Sequence, residues 1–296
     1  MEDGKQSPLF SIIIPTYQRT AQLASCLEAI TRLDYPLERF EVIVVDDGSA
    51  TPPEELIASF RERIDVQLLT QPHAGPAAAR NTGAARARGD CLAFTDDDCL
   101  PERNWLRAFA ARLVERPEQL IGGRAQNALA QNIYSAASQT IIDVVYEHFN
   151  ENGEAHFFAS NNFAVPARGF RAIGGFDEKF VTSEDRDLCD RWLRHGYKMT
   201  YAPEALIQHA HPLTLRSLWR QHFGYGRGAF RFHRARRERG AERFKPDRNF
   251  YLKLLRRPSS NGKGTRACAL TALVVWTQLA STAGFAYEML RRREMF

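Results

Sequence analysis

The first hundred residues alternate between short apolar runs and segments in which apolar positions recur at helical spacing. The runs that predict strands lie at residues 10–14, 41–45, 66–69 and 91–94. The helical patterns between them lie at residues 23–33, 52–63 and 77–88. Uniformly apolar strands separated by helices are typical of a parallel sheet that is covered by helices on both faces.

The next hundred residues continue the pattern less regularly. A helix is predicted from Pro101 onwards, and its apolar side consists of Trp105, Leu106, Phe109 and Leu113. The stretch that follows is mixed and glycine-rich, so its elements are not assigned. A second helix is predicted up to about residue 195, with Ser183 as its N-cap and with Leu188 and Trp192 buried.

Polar clusters follow three of the predicted strands. They are Pro15-Thr16-Tyr17, Asp46-Asp47 and Asp96-Asp97-Asp98. Ligands of open α/β sheets bind beyond the carboxyl ends of the strands. We therefore expect the three clusters to converge on one site.

The aspartate triplet has the chemistry of a metal site. In extended chain Asp96 and Asp98 share a face and Asp97 points elsewhere. Two carboxylates on one face suit Mg²⁺ or Mn²⁺ together with phosphate oxygens of a substrate. A solvated acidic turn that caps the next helix is the alternative for an isolated triplet, and the D-x-D-x-D-G pattern of a calcium loop is absent.

Three further groups have both a functional and a structural interpretation. A carboxylate of Asp46 or Asp47 could accept the imide N–H of a uracil, or the pair could simply form a turn. Glu184 and Asp185 could supply a general base, or could favour a helix N-terminus through its dipole. The remaining group is a histidine pair, His209 and His211, which could reach a metal or a pyrophosphate, or be ordinary surface or core residues.

Charge is divided unevenly along the 296 residues. The net charge is +5, but residues 1–211 hold 21 Lys and Arg against 30 Asp and Glu, whereas residues 212–266 hold 16 against 3. The composition shift near Pro212 therefore predicts an acidic catalytic body followed by a basic extension with different partners.

The cysteines and the N-terminus predict the compartment. The five cysteines are scattered without a C-x-x-C pair, which predicts neither a disulfide framework nor a zinc site and fits a reducing environment. Residues 1–8 are polar, with no basic region followed by an apolar run. We expect no cleaved signal peptide and a cytoplasmic catalytic part.

In combination these segments resemble family 2 glycosyltransferases of the GT-A fold. The matching motifs, in the family's order over residues 10–211, are SIIIPTY (11–17) with Arg19, VDDGS (45–49), GPAAARN (75–81), Ala87-Arg88-Gly89, FTDDD (94–98), GGFDE (174–178) and SEDRDL (183–188). The resemblance implies a Rossmann-like, mostly parallel sheet flanked by helices. It also implies single-displacement transfer, with inversion, of a sugar from a nucleotide-diphosphate donor, most commonly a uridine one.

The resemblance assigns roles to individual residues. Donor binding falls to Pro15, Thr16, Tyr17, Arg19, Asp46, Asp47, Arg80, Asn81, Asp96, Asp97, Gly174 and Gly175, with Tyr17 able to stack on the base. The metal, Mn²⁺ or Mg²⁺, falls to Asp96, Asp98, His209 and His211, with Asp98 and His209 preferred. The general base is Asp185 of the Glu184–Asp185 pair.

The downstream region departs from the polymerising members of that family. They carry a Q-x-x-R-W motif, whereas residues 218–226 read LWRQHFGYG. Single addition of a sugar is therefore predicted, to a hydroxyl of a glycan or a lipid-linked acceptor.

The basic region interleaves arginines with aromatic residues, but no nucleic-acid motif accompanies them, so no nucleic-acid partner is expected. An anionic membrane surface suits the same charge. Residues 267–287 hold no charge and are flanked by basic residues. They could lie in the plane of the membrane, span it or pack as a soluble helix; we expect association with the cytoplasmic face of the plasma membrane.

The sequence thus predicts three parts. Residues 1–100 form the donor-binding half of a GT-A domain, residues 101–212 its acceptor and catalytic half, and residues 213–296 a basic helical extension.

An inactive nucleotide-sugar-binding scaffold subunit and a nucleotidyltransferase are the alternative functions. A nucleotidyltransferase typically has a glycine-rich loop after its first strand, which residues 15–19 lack. The donor sugar, the acceptor, the linkage and the oligomeric state are not determined.

Overall fold

The computed structural model describes residues 7–150, 154–241, 245–260 and 264–293. Residues 1–6 and the side chains of residues 292 and 293 lie outside the described part. The expectation about the N-terminus and part of the basic run 291–293 therefore lie outside it too.

Within the described residues, eight strands form one sheet in the order β3-β2-β1-β4-β7-β6-β8-β5. The strands are β1 (Phe10–Thr16), β2 (Phe40–Asp46), β3 (Val66–Thr70), β4 (Cys91–Thr95), β5 (Cys99–Pro101), β6 (Leu120–Asn127), β7 (Asn162–Pro166) and β8 (Met199–His209). The first four are parallel to one another, β6 is parallel to β8, and β5 and β7 are antiparallel to their neighbours. The predicted α/β architecture with a mostly parallel sheet is confirmed.

In the part of the chain that the structure describes, ten α-helices cover the sheet or follow it. They are α1 (Thr20–Ile30), α2 (Glu54–Phe60), α3 (Pro76–Arg86), α4 (Trp105–Glu115), α5 (Ile133–Phe149), α6 (Ala167–Ala172), α7 (Glu184–Arg194), α8 (Leu215–Glu238), α9 (Arg248–Ser260) and α10 (Thr265–Arg293). Strands β1 and β2 are buried almost throughout because α1 packs on one face of the sheet and α3 on the other. This double cover explains their uniformly apolar sequences.

One predicted boundary is wrong. Pro101 ends the short strand β5, and the helix begins only at Trp105, because Cys99–Pro101 pairs with the edge of β8. Ser183 occupies the N-cap position of α7 as predicted, but its side chain makes no capping hydrogen bond, since its backbone is left-handed with φ of 72°. Leu188 and Trp192 are buried as predicted.

A buried amide joins the central strands near the site. Asn162 of β7 accepts a hydrogen bond from the indole N–H of Trp105 at 2.8 Å and donates to the carbonyls of Arg124 and Ala205, both at 2.9 Å. The contact to Arg124 lies at an irregularity of the β6–β8 pairing. Asn162 thereby fixes the course of β8, the strand that ends in His209.

The basic extension is helical as predicted, and α8 packs closely along α10. At Gly226 an added Cβ would lie 1.9 Å from the carbonyl oxygen of Ser281, and at Gly284 2.0 Å from that of Phe223. Glu288 is buried between α8 and α10 and accepts hydrogen bonds from Arg227 and Arg231, both at 2.8 Å. Helix α10 is long and apolar enough to cross a membrane, with a mean hydropathy of 1.4 over its most apolar window.

Candidate active site

A cavity of about 1460 Å³ opens at the carboxyl ends of the parallel strands. All three predicted polar clusters reach it, through Pro15, Thr16 and Tyr17, through Asp47, and through Asp96, Asp97 and Asp98. From there it extends past the start of α7 to helices α5, α8 and α9. Sites for small molecules typically measure about 300–1,000 Å³, so this cavity has room for two substrates.

The aspartate triplet does not continue the strand. Strand β4 ends at Thr95, and the backbone N–H of Cys99 donates to the carbonyl of Asp96 at 3.1 Å, which closes a turn. The period-two alternation assumed for Asp96 and Asp98 is therefore wrong here. Each of the three carboxylates has a different set of partners.

Asp98 lies between two histidines. Its Oδ1 is 3.3 Å from Nε2 of His209, and its Oδ2 is 3.2 Å from Nδ1 of His211. Pairing of Cys99 with His209 across β5 and β8 brings these residues together. One ligand atom from each of the three residues lies within 4.8 Å of the others, a spacing that one metal ion can bridge. The structure thus brings Asp98, His209 and His211 into one group.

The electrostatics of this group favour the charged form of Asp98. Burial opposes ionisation of the carboxyl, but the hydrogen bonds to His209 and His211 prevail and hold the pKa of Asp98 well below its usual range. Burial likewise lowers the pKa of His209, yet the hydrogen bond and charge of Asp98 outweigh it, so the net shift is upward. An anionic carboxylate with two imidazoles is a donor set for a divalent transition metal.

Asp97 supports the loop that follows β1. It accepts hydrogen bonds from the hydroxyl of Thr16 at 2.8 Å and from Nη1 of Arg19 at 3.2 Å. Burial raises its pKa to about 6. Arg19 also donates to Asp98 at 3.1 Å, so its guanidinium connects the loop after β1 with the group of Asp98, His209 and His211.

Asp96 is bound to Arg80 instead of the histidine group. The buried guanidinium of Arg80 donates through Nη2 to Asp96 at 2.6 Å and through Nη1 to Glu184 at 3.1 Å. This bridge ties α3, the triplet and the start of α7 together. Asp96 and Asp98 were predicted to bind the metal together. Among the described residues, the group of candidate ligands contains Asp98 but not Asp96.

The Asp46–Asp47 pair shapes the loop after β3. The carboxylate of Asp47 accepts hydrogen bonds from Nε2 of Gln71 at 2.7 Å and from the backbone N–H groups of Ala74 and Gly75 at 2.9 and 2.8 Å. Asp46 accepts one from the backbone of Ser49 at 3.1 Å, and within the described residues its buried Oδ1 has no hydrogen-bond donor. Asp47 lines the cavity.

Tyr17 stacks on the imidazole of His73, with ring centroids 4.3 Å apart and planes inclined by 29°. Nδ1 of His73 is also 2.9 Å from Oδ2 of Asp47. Both rings line the cavity, and Tyr17 is exposed there. A flat aromatic platform of this kind suits the face of a nucleobase.

The structure does not bring Asn81, Gly174 and Gly175 to the wall of the cavity formed by the described residues. Asn81 instead holds the segment before α7: it donates to the carbonyl of Phe176 and accepts from its N–H, both at 2.9 Å. A Cβ on Gly175, whose φ is +66°, would lie 2.7 Å from Oδ1 of Asn81. These residues position the backbone that leads to α7.

Glu184 and Asp185 start α7 and line the cavity. Glu184 turns to Arg80, whereas Asp185 is half-buried and accepts a hydrogen bond from the backbone N–H of Arg186 at 2.7 Å. Burial raises the pKa of both carboxyls, and the negative charge of Asp185 adds to the effect on Glu184. A carboxylate with a raised pKa is a stronger proton acceptor.

Known proteins resemble the chain in sequence. The family described as Glycosyl transferase family 2 matches residues 11–174. A pre-mycofactocin glycosyltransferase of Mycobacterium tuberculosis is 32% identical over 210 residues, which cover 68% of this chain and 44% of that protein. The chain is a family 2 glycosyltransferase.

The lengths of the relatives limit which of their activities can be assigned to this chain. Glycosyltransferase AglE of Haloferax volcanii is 29% identical over 75% of this chain and 73% of its own length. The chain spans less than half of the mycobacterial relative, so activities of that whole protein are not carried over.

Solved structures share the fold of this glycosyltransferase. The mannosyltransferase PcManGT from Pyrobaculum calidifontis, in complex with GDP-Man and Mn²⁺, aligns with a TM-score of 0.69 and 19% identity over 97% of this chain and 88% of that chain. S. aureus TarS 1-349 in complex with UDP aligns with a TM-score of 0.55 and 16% identity, over 97% of this chain and 92% of that one. These likenesses establish the GT-A fold of the catalytic body.

The sequence did not predict two features of the site of this glycosyltransferase. His73 stands in a Gln-Pro-His-Ala-Gly loop after β3, and its only signal was that it follows a parallel strand at the edge where the other clusters lie. The bridging role of Arg80 could not be read from its motif, because its partners Asp96 and Glu184 lie 16 and 104 positions away.

Proposed function

We propose that this protein is an inverting, metal-dependent glycosyltransferase that moves a sugar from a nucleotide-diphosphate sugar, UDP-linked, to a hydroxyl of a glycan or lipid-linked acceptor. The observation that carries the proposal is the shared cavity. Asp98, His209 and His211 line the same space as Asp185, with Arg80 and Glu184 between the two groups. Donor and acceptor chemistry can therefore meet in one place.

The donor set fits a divalent metal. Two imidazoles beside one carboxylate favour Mn²⁺ over Mg²⁺, which prefers oxygen ligands alone. When bound by Asp98, His209 and His211, the ion would neutralise the negative charge that develops on the departing diphosphate. Arg19, whose guanidinium already bridges Asp97 and Asp98, is placed to bind the same phosphates.

The chain's own residues would perform the remaining steps. Tyr17 and His73 would hold the base of the donor, and the bridge from Asp96 through Arg80 to Glu184 would fix the start of α7. Asp185 would take the proton of the acceptor hydroxyl as its oxygen attacks the anomeric carbon. A single displacement of this kind inverts the anomeric configuration.

Release of nucleoside diphosphate tests this function. The purified protein with Mn²⁺ should release UDP slowly from a UDP-sugar in water and faster with an acceptor, and chelation by EDTA should stop the release. A panel of UDP-, GDP- and dTDP-sugars identifies the base. Failure to release any nucleoside diphosphate, and failure to bind one with Mn²⁺, would reject the proposal.

The acidity of Asp185 predicts a pH dependence. The pKa of Asp185 is raised, so this carboxylate becomes protonated at a higher pH than an ordinary aspartate, whose pKa is roughly 3.9. We expect kcat, measured with saturating donor and Mn²⁺, to fall up to tenfold per pH unit below the pKa of Asp185 and to be constant above that pKa. A kcat that is unchanged down to pH 4 would contradict Asp185 as the base.

The extension would rest on an anionic membrane. One face of helix α10 packs against the rest of the protein, and the opposite face exposes apolar side chains. Only 28% of the most apolar window of the helix is buried. The exposed positions recur at helical spacing and are Val275, Trp276, Leu279, Tyr287 and Leu290. Exposed arginines of the same extension, among them Arg216, Arg220 and Arg291, suit anionic lipids.

Charged substitutions on this surface test the membrane proposal. Leu279→Glu with Leu290→Glu should lower binding to phosphatidylglycerol-containing vesicles at least about tenfold, because each inserted leucine contributes roughly 1.5–3 kcal/mol. Leu37→Glu, at an equally exposed leucine of the catalytic body (54% against 55% for Leu279), is the control and should bind normally. Cosedimentation measures the binding; equal binding of all three proteins would contradict the proposal.

A further inference from the structure

Arg186 is a cation in the wall of the cavity for which the described residues supply no anionic partner. It follows Asp185 on α7, is partly buried and lines the cavity. Its Cζ lies 5.5 Å from the ring centroid of Phe157. Among the residues that the structure describes, no carboxylate lies within ion-pair distance of its guanidinium, and its side chain donates no hydrogen bond.

Neighbouring arginines are paired. On the same helix, Nε of Arg191 is 2.7 Å from Asp187, and Nε of Arg194 is 3.0 Å from Asp190. Arg236 of α8 also pairs with Asp190, at 2.8 Å. The fold therefore supplies acidic partners for the cations on the other sides of α7 and leaves the one beside the general base unpaired.

An unpaired, partly buried guanidinium is electrostatically unfavourable in the free protein. Burial lowers the pKa of Arg186, and the charge of Asp185 opposes this only in part. A phosphate or carboxylate bound there would supply the missing charge. The planar fork of arginine matches both groups with two parallel hydrogen bonds.

The position of Arg186 assigns that anion to the acceptor. The donor side already has its own cations, Arg19 on Asp98 and Arg80 on Asp96. The part of the cavity around Arg186 lies beyond Asp185, between α5, α8 and α9, and aromatic residues line it: Tyr146, Phe157, Tyr225, Phe250 and Tyr251. Such walls suit a sugar ring or an apolar chain. Arg236, which also lines the cavity, is already paired with Asp190 at 2.8 Å.

Resting on the function proposed above, we propose that the acceptor carries a phosphate or carboxylate close to the hydroxyl that receives the sugar, and that Arg186 binds this group. Asp185 and Arg186 are consecutive, so one turn of α7 presents the base to the hydroxyl and the guanidinium to the anion. Lys245, exposed at the rim of the cavity, adds positive charge along the path of entry. Arg186 is thus an acceptor-binding residue that selects for charge.

Matched pairs of charged and neutral probes test the proposal. Calorimetry on the full chain, loaded with Mn²⁺ and UDP, compares glucose 6-phosphate with glucose and farnesyl phosphate with farnesol. The first pair represents a soluble acceptor and the second a lipid one. The variants are Arg186→Gln, Arg186→Lys and, as a control on the same helix, Arg194→Gln.

We expect at least one anionic probe to bind about 10- to 100-fold more tightly than its neutral partner, as a charge-assisted hydrogen-bond pair implies. Arg186→Gln should remove this preference, Arg186→Lys should keep part of it, and Arg194→Gln should keep all of it. UDP affinity should be the same in all four proteins, which shows an intact donor site.

Two results would overturn the proposal. The first is equal binding of both charged probes and their neutral partners to the wild type. The second is a charge preference that survives in Arg186→Gln, which would place the anion on the metal or on another cation. Loss of UDP binding by the wild type would instead refute the proposed function itself, so the two failures are distinguishable.

Discussion

Asp185→Asn is expected to lower kcat for sugar transfer by about 10²- to 10⁴-fold, the usual contribution of a general base. The amide keeps the size of the carboxylate and its acceptor oxygen for the N–H of Arg186. It cannot take a proton from the acceptor hydroxyl. Affinity for the nucleoside diphosphate should stay unchanged, because the proposed donor contacts lie at the carboxyl ends of β1, β3, β4 and β8 and not on α7.

Transfer is measured as release of nucleoside diphosphate with and without acceptor, and nucleotide affinity by calorimetry. Asp34→Asn, at an exposed carboxylate paired with Arg107, is the control and should keep full activity. Unchanged transfer by the purified Asp185→Asn protein would contradict Asp185 as the base. Unchanged product formation in a strain that carries Asp185→Asn would favour the scaffold alternative, in which the carboxylate performs no chemistry.

Asp98→Ala should lower kcat/KM by at least about 10²-fold, since it removes a proposed ligand of the metal ion, and the ion would supply the positive charge that neutralises the departing diphosphate. Its removal also leaves Arg19 without one of its two acceptors. His209→Ala and His211→Ala should each reduce the affinity for Mn²⁺ with smaller effects on the fold, because both histidines are more exposed than Asp98.

The expected signature is a change in metal dependence: Asp98→Ala should need far more Mn²⁺ for half-maximal activity. Circular dichroism and thermal unfolding show whether the variant is folded. Asp98→Asn, which keeps a ligand oxygen and the shape of the buried side chain, should recover part of the activity. A folded Asp98→Ala protein with unaltered Mn²⁺ dependence would exclude this residue as a ligand.

Local sequence patterns were sufficient to predict the fold of the first hundred residues. Strands β1, β2 and β4 are buried almost throughout, so their apolar runs stand out, and the polar residues that follow them reach one cavity as expected. The turn at Asp96 was not predicted, because the hydrogen bond from Cys99 that closes it depends on pairing of β5 with β8 more than 100 positions away.

Long-range contacts also explain the other features of the site that the sequence did not predict. The Arg80 bridge between Asp96 and Glu184 combines three separate motifs, and no one of them specifies the others' side-chain directions. The proposed acceptor side is built largely from α5, α8 and α9. The sequence left the stretch that contains α5 unassigned and predicted only a basic helical extension for the other two, so it did not indicate the surface they share. The lack of a carboxylate partner for Arg186 among the described residues likewise depends on this long-range packing.

Titration of UDP into the wild-type protein, first with Mn²⁺ and then with EDTA, tests whether Asp98, His209 and His211 form a metal-assisted donor site. We expect tight binding with Mn²⁺, weaker binding with Mg²⁺ and little binding after chelation, with GDP and dTDP compared for the identity of the base. Nucleotide binding of equal strength with and without the metal would contradict a metal-assisted donor site.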